Sequence, residues 1–204
     1  AIGEDVRAAG DVTIHVDKGE TITDNEGTTA VNAIGIRGNV EGGGKVSLTA
    51  GEGSIGIGIG ATGDKGKVTA GSDIEITSGK GEIDIYNTVT SSGGNIAITN
   101  GEEAIYVQSA VSAKGDVSLN SEKGLIDIES AVTSQAGNVT ATAHKNLTIG
   151  ADVTAKNSVT VLSKNAAIAV NDAVTALTGD ITATAKEDIK TGDCVTASSL
   201  DRKS

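Results

Sequence analysis

Apolar residues along this chain come in short pulses separated by turn residues. The stretch Gly115 to Ser134, GDVSLNSEKGLIDIESAVTS, holds three of them: Val117-Ser118-Leu119, Ile126-Asp127-Ile128 and Val132. The unit upstream repeats the set as Ile96-Ala97-Ile98, Ile105-Tyr106-Val107 and Val111. The unit downstream gives Val139-Thr140-Ala141, Leu147-Thr148-Ile149 and Val153. On the third pulse Val89, Val111, Val132, Val153, Val174 and Val195 follow one another by 22, 21, 21, 21 and 21 residues. A fixed period of this length is the mark of a solenoid. Within a pulse apolar and polar residues alternate, as in a strand with one buried face. The pulses are too short for a stable helix, and Val, Ile and Thr favour a pleated surface.

One unit therefore predicts one coil of three strands. The expected fold is an all-β, three-sided parallel β-helix, a single β-solenoid domain over residues 1–204 with about 21 residues per coil and about eight coils from Val12 to Val195. With strands about 4.8 Å apart along the stack, the rod is about 40 Å long. Coils with insertions fill 1–70, regular coils 71–197, and a partial coil 198–204, where Leu200 falls at a first-strand position. Ile2 and Val6 share the spacing of Ile128 and Val132, so the chain is expected to open on second and third strands.

Two departures from the period stand out. Between the first strand at Val12-Thr13-Ile14 and the second at Ile34-Gly35-Ile36 lie the thirteen extra residues DKGETITDNEGTT, carrying Asp17, Glu20, Asp24 and Glu26. These four are the candidate binding residues, because loops vary while strands hold the scaffold. Clustered carboxylates suit hard cations, but the spacing matches no EF-hand or nonapeptide calcium motif, so the segment is expected to be a solvated loop. The second departure is Gly58 to Lys67. There Gly56, Gly58 and Gly60 alternate with inward isoleucines, and a bare strand face invites close approach by another segment. In the regular coils Asp73, Asn95, Asp116, Asn138, Ser158 and Asp180 precede the first strands, mostly after glycine. These pairs are expected to supply the unusual backbone angles of tight corners and to form a polar ladder.

Composition fits a narrow core. Pro, Phe, Trp and Met are absent, and only two Tyr stand among 28 Gly, so the interior must be stacked Ile, Val, Leu and Ala rather than aromatic rings. Periodic β-branched pulses argue against disorder. The net charge of -11, without a basic cluster, argues against nucleic acid. No apolar run is long enough to span a bilayer, and no secretory signal stands at Ala1. The one cysteine, Cys194, permits no internal disulfide and is expected outward or at a corner.

Outward positions between the paired second-strand apolar residues read Asp84, Tyr106, Asp127, Thr148, Ala169 and Lys190. Two carboxylates about 10 Å apart, with a tyrosine between them, suit the acid and base of an inverting glycosidase. The pattern shows no aromatic wall against which a sugar would stack. No catalytic residue, metal site or cofactor is assigned. His15 and His144 fall five coils apart and cannot share a metal. The first-strand outward row Glu75, Ala97, Ser118, Thr140, Thr160, Thr182 holds only three threonines, too few for an ice-binding face.

The runs GDVSLNSEKGLIDIESAVTS, AGNVTATAHKNLTIGADVTAK and TGDITATAKEDIKTGDCVTA resemble the repeat regions of filamentous-haemagglutinin-like exoproteins, large bacterial adhesins and toxins exported by two-partner secretion. The likeness covers about Gly71 to Ala197. It implies a right-handed β-helix serving as a structural or adhesive segment at the bacterial cell surface or in an extracellular fibre, and not an enzyme. The implied partner is a host-cell, matrix or glycan receptor, or further copies of the chain joined head to tail. A carbohydrate-active enzyme on the same fold is the alternative.

Overall fold

The computed structural model describes the backbone of residues 1–23, 29–60, 65–192 and 195–202, and within these the side chains of all but 20–23, 29–32 and 197–202. Every element among them is a strand, and the strands stack in parallel as a β-solenoid of about seven turns with roughly 22 residues per turn.

Three columns of strands make up the coils. The first column runs Val12–Lys18, Val46–Glu52, Ile74–Ser78, Ile96–Asn100, Val117–Ser121, Val139–Ala143 and Val159–Ser163, then the later half of Val174–Ala185 and the later half of Val195–Arg202. Its strands are five or more residues long, so at least two side chains of each face outward. Strands of the second column, among them Ile83–Ile85, Ile105–Val107, Ile126–Ile128, Leu147–Ile149 and Ile168–Val170, are mostly three residues long with one outward side chain. The third column runs from Val6–Ala8 through Val40–Gly42 and Val132–Ser134 to the early halves of Val174–Ala185 and Val195–Arg202. Pairing is in register: Ile128 lies opposite Ile149, and Ile149 opposite Val170, one column of buried side chains. The ends follow the expected register, since Ile2 bridges Ile36, Val6 pairs Val40, and Leu200 pairs Ile181. At one corner the chain does not turn sharply. Val174–Ala185 is a single twelve-residue strand that joins the third and first columns into one sheet.

The insertion is not simply a loop. Glu20–Thr23 pairs antiparallel with the start of Thr29–Ile36, so the segment folds back as a hairpin and places an antiparallel strand at the edge of the second column. Thr21, Ile22 and Thr23 alternate polar and apolar residues, the period of a strand.

The corner glycines also serve a different purpose from the one expected. Among the described residues positive φ angles occur at Gly53, Gly58, Gly60, Gly66 and Gly81, and at none of the Gly-Asp or Gly-Asn corners. Those glycines are needed for close approach instead. A Cβ on Gly137 would meet Asp116 Oδ1 and, at 2.8 Å, its backbone N; Gly115 faces Asn95 Oδ1 in the same way. That space lets each corner side chain accept a backbone N–H from the next coil. Asp73 accepts from Asn95 at 2.7 Å, Asn95 from Asp116 at 2.7 Å, Asp116 from Asn138 at 2.6 Å and Asn138 from Ser158 at 3.1 Å. The polar ladder is therefore present, running from each coil to its successor.

Inside, the core is aliphatic, with polar side chains admitted only where the chain bends. Ser78, Ser91, Asn100, Ser121, Ser134 and Ser163 are buried, and each hydrogen-bonds to the backbone. Asn100 donates to the carbonyls of Gly81 and Ala104 and accepts from the N–H groups of Glu102 and Glu103, closing one whole corner. A buried polar group with every bond made costs little, and one left unpaired costs much.

Candidate functional site

The second column offers the most varied outer surface. Because its regular strands turn only their middle residue outward, register fixes the order of groups along the rod: Gly35, Gly56, Asp84, Tyr106, Asp127, Thr148, Ala169 and Lys190. Asp84 and Asp127 stand two steps apart, about 10 Å by strand spacing, with Tyr106 between them. At one end Ile59 folds back over the bare face of Gly56, where a Cβ would come within 3.2 Å of its side chain. The close approach anticipated from the glycine run is thus made at Gly56 by Ile59.

Asp84 is partly buried and its carboxyl is pushed up to about 6, first by desolvation and then by the nearby charge of Glu82. Asp127 is raised in the same way, by burial and then by Glu129. The phenol of Tyr106 is raised by burial and by Glu82, Asp84, Asp127 and Glu103, and that of Tyr86 by burial, Asp84 and Glu82. Tyr106 pairs with Asp84 across adjacent coils, and Tyr86 is the chain's other tyrosine. Tyr86 is 46% exposed, one of two large hydrophobics so open among the described residues. Tyr106 stands beside Asp84 and Asp127 in the register, and Tyr86 follows Asp84 by two residues in sequence. Tyr86 escaped notice because it lies one residue past the alternating triplet Ile83-Asp84-Ile85. The signal was available in the rarity of tyrosine and in its recurrence at similar places in adjacent coils.

None of Glu82, Asp84, Glu103, Asp127 or Glu129 has an ion pair among the described residues. Glu41, Glu52, Glu75 and Glu102, by contrast, are held by Arg7, Lys80, Lys45 and Lys123, and Asp5 by Arg7 as well. Chemically the face can attract cations and stack planar groups. The raised proton affinity of Asp84 also suits it to a general-acid role beside Asp127.

The insertion residues are not brought together in this way. Asp17 is exposed and accepts a contact from His15 Nε2 at 2.7 Å, while Glu20 lies in the hairpin strand. Asp24 and Glu26 lie outside the described residues, as does Cys194. Among the described residues no group of three or more His, Cys, Asp or Glu could hold a metal ion. His144 contacts Asn165 Nδ2 at 2.9 Å in the next coil, far along the rod from His15. No helix among the described residues is long and apolar enough to cross a membrane.

Comparison with protein-family models, curated proteins and solved structures finds no match to this chain.

Proposed function

We propose that the chain is a structural and adhesive segment of a secreted bacterial surface protein or extracellular fibre. The observation that carries this reading is the unbroken axial register. In the second column eight outward residues succeed one another from Gly35 to Lys190 without a slip, on a core of identically stacked aliphatic residues. Such a body supplies reach and a set of long faces that vary independently of the core. Head-to-tail joining of copies is a narrower form of the proposal, and the antiparallel strand Glu20–Thr23 constrains it, because it already occupies part of one second-column edge.

A carbohydrate-active enzyme on the same scaffold is the second reading, favoured by the Asp84–Tyr106–Asp127 arrangement. Purified rod is to be screened on glycans, extracellular-matrix proteins and host cells, with reducing ends measured in parallel. Binding without release of reducing ends is the expected result. Release that disappears in Asp84→Asn or Asp127→Asn would instead establish the enzyme and overturn the adhesive reading.

A further inference from the structure

The two places where the chain departs from its period meet in space. Lys18 and Gly19 belong to the first departure and Ile59 to the second, and all three border one cavity of about 390 Å³ at the second column. Its floor is cleared of side chains. Gly35 and Gly56 hold the outward row that carries Asp84, Tyr106 and Asp127 in later coils. Neither glycine has a positive φ, so the backbone angles there do not call for glycine. Ile59 covers part of this bare floor: its Cγ2 lies 3.4 Å from where a Cβ on Gly35 would stand and 3.3 Å from one on Gly56. The cavity is the part that Ile59 leaves open.

Only two kinds of side chain wall it. Val16, Ala33, Ile34 and Ile59 are aliphatic, Lys18 and Arg37 are cationic, and no acid, hydroxyl, amide or ring lines it among the described residues. On a chain of net charge -11, a concave site bordered by cations alone runs against the general balance. Arg37 is exposed and makes no ion pair or side-chain hydrogen bond among the described residues, unlike Arg7, which reaches Asp5 and Glu41. Lys18 stands 4.0 Å from Glu52, whose nearer partner is Lys80 at 2.9 Å. Both cations can therefore turn to an anion that enters.

We propose that this cavity binds a small apolar carboxylate, with its acid group held by Arg37 and Lys18 and its body against Val16 and Ile59. The inference goes beyond the adhesive reading and does not depend on it. The lining selects the class. A concave, mainly apolar site with a few placed charges is the form of a small-molecule pocket, and this volume lies at the lower end of the range for such sites. The fork of a guanidinium matches the two oxygens of a carboxylate. A neutral sugar would find no side-chain partner for its hydroxyls, a cation would be repelled, and inorganic phosphate would leave the aliphatic wall uncovered.

The test is titration of the full chain with phenylacetate, followed by backbone amide NMR shifts. Phenylacetamide, the same body without charge, and inorganic phosphate, charge without the body, are the controls. Phenylacetate is expected to bind saturably, at about millimolar affinity, with shifts centred on Gly35, Arg37, Gly56 and Ile59, and less tightly as salt rises. Each control is expected to bind at least about five-fold more weakly. Arg37→Gln should weaken phenylacetate by about five-fold or more and leave phenylacetamide unchanged, whereas Lys164→Gln, which removes an exposed charge elsewhere, should alter neither. Gly35→Leu fills the floor and should abolish binding. Ile59→Ala, which takes away part of a half-exposed wall, should weaken it by about three-fold or more and gives a second reading if Gly35→Leu does not fold. Thermal unfolding checks that each variant is folded. No saturable binding of phenylacetate, a control that binds as tightly, equal weakening by Arg37→Gln and Lys164→Gln, or binding undiminished in folded Gly35→Leu or in Ile59→Ala would each overturn the proposal.

Discussion

Replacing Asp84 by Asn tests the electrostatics of the outer face through stability alone. In the folded chain the carboxyl titrates at about 6 instead of 3.8, so the native state holds a proton that the unfolded state has lost. A raised folded value means the group favours folding fully below the unfolded value, and that contribution is lost as pH rises through the folded one. Wild type should therefore lose stability between about pH 4 and pH 6 from this residue. Taken whole, the difference is worth about 3 kcal/mol. The carboxyl is still partly hydrated, however, and screening reduces this to about 1 kcal/mol. Asn keeps the shape and has no charge to desolvate. Asp84→Asn should accordingly match wild type at pH 4 and exceed it by about 1 kcal/mol at pH 7.5, read from urea unfolding midpoints at both pH values. A difference between variant and wild type that stays constant from pH 4 to 7.5 would show that Asp84 is not held away from water, and the account of this face would fail.

Three further substitutions probe the scaffold. Ile128→Asp places an unpaired carboxylate in the buried Ile128–Ile149–Val170 column and should cost at least about 3 kcal/mol; unchanged thermal unfolding would show the register to be wrong. Gly137→Ala drives a methyl into Asp116 of the preceding coil and should cost about 1 to 3 kcal/mol, whereas Gly10→Ala, with nothing within 4 Å, should be near neutral; equal midpoints for the two would refute the close-approach account. Asn100→Ala strips four backbone groups of their partner and should cost at least about 3 kcal/mol, with faster amide exchange at Glu102 and Glu103 as its local signature.

What could be read from the sequence was whatever repeats. Val89, Val111 and Val132 identify a column because the same burial demand recurs each turn, and Asp127 between Ile126 and Ile128 had to face out. Features that occur once were harder to see. The hairpin at Glu20–Thr23 has no counterpart in other coils against which it could be aligned. The purpose of Gly137 was misassigned because glycine serves both left-handed angles and tight contacts, and only the position of Asp116 in the neighbouring coil decides between them. The four carboxylates that raise the phenol of Tyr106, Glu82, Asp84, Glu103 and Asp127, come from three coils, which linear spacing alone does not bring together.

The hydrogen bonds between coils run along the length of the rod, and this has a mechanical consequence. Force applied at the two ends passes through every coil interface in series, so the weakest interface opens first and its neighbours remain loaded but intact. One coil contributes about 4.8 Å to the folded length. Once peeled away, its roughly 22 residues can extend to about 75 Å. A tethered rod of this design would lengthen many-fold in discrete steps before any covalent bond was strained, absorbing the work of a sudden pull one coil at a time.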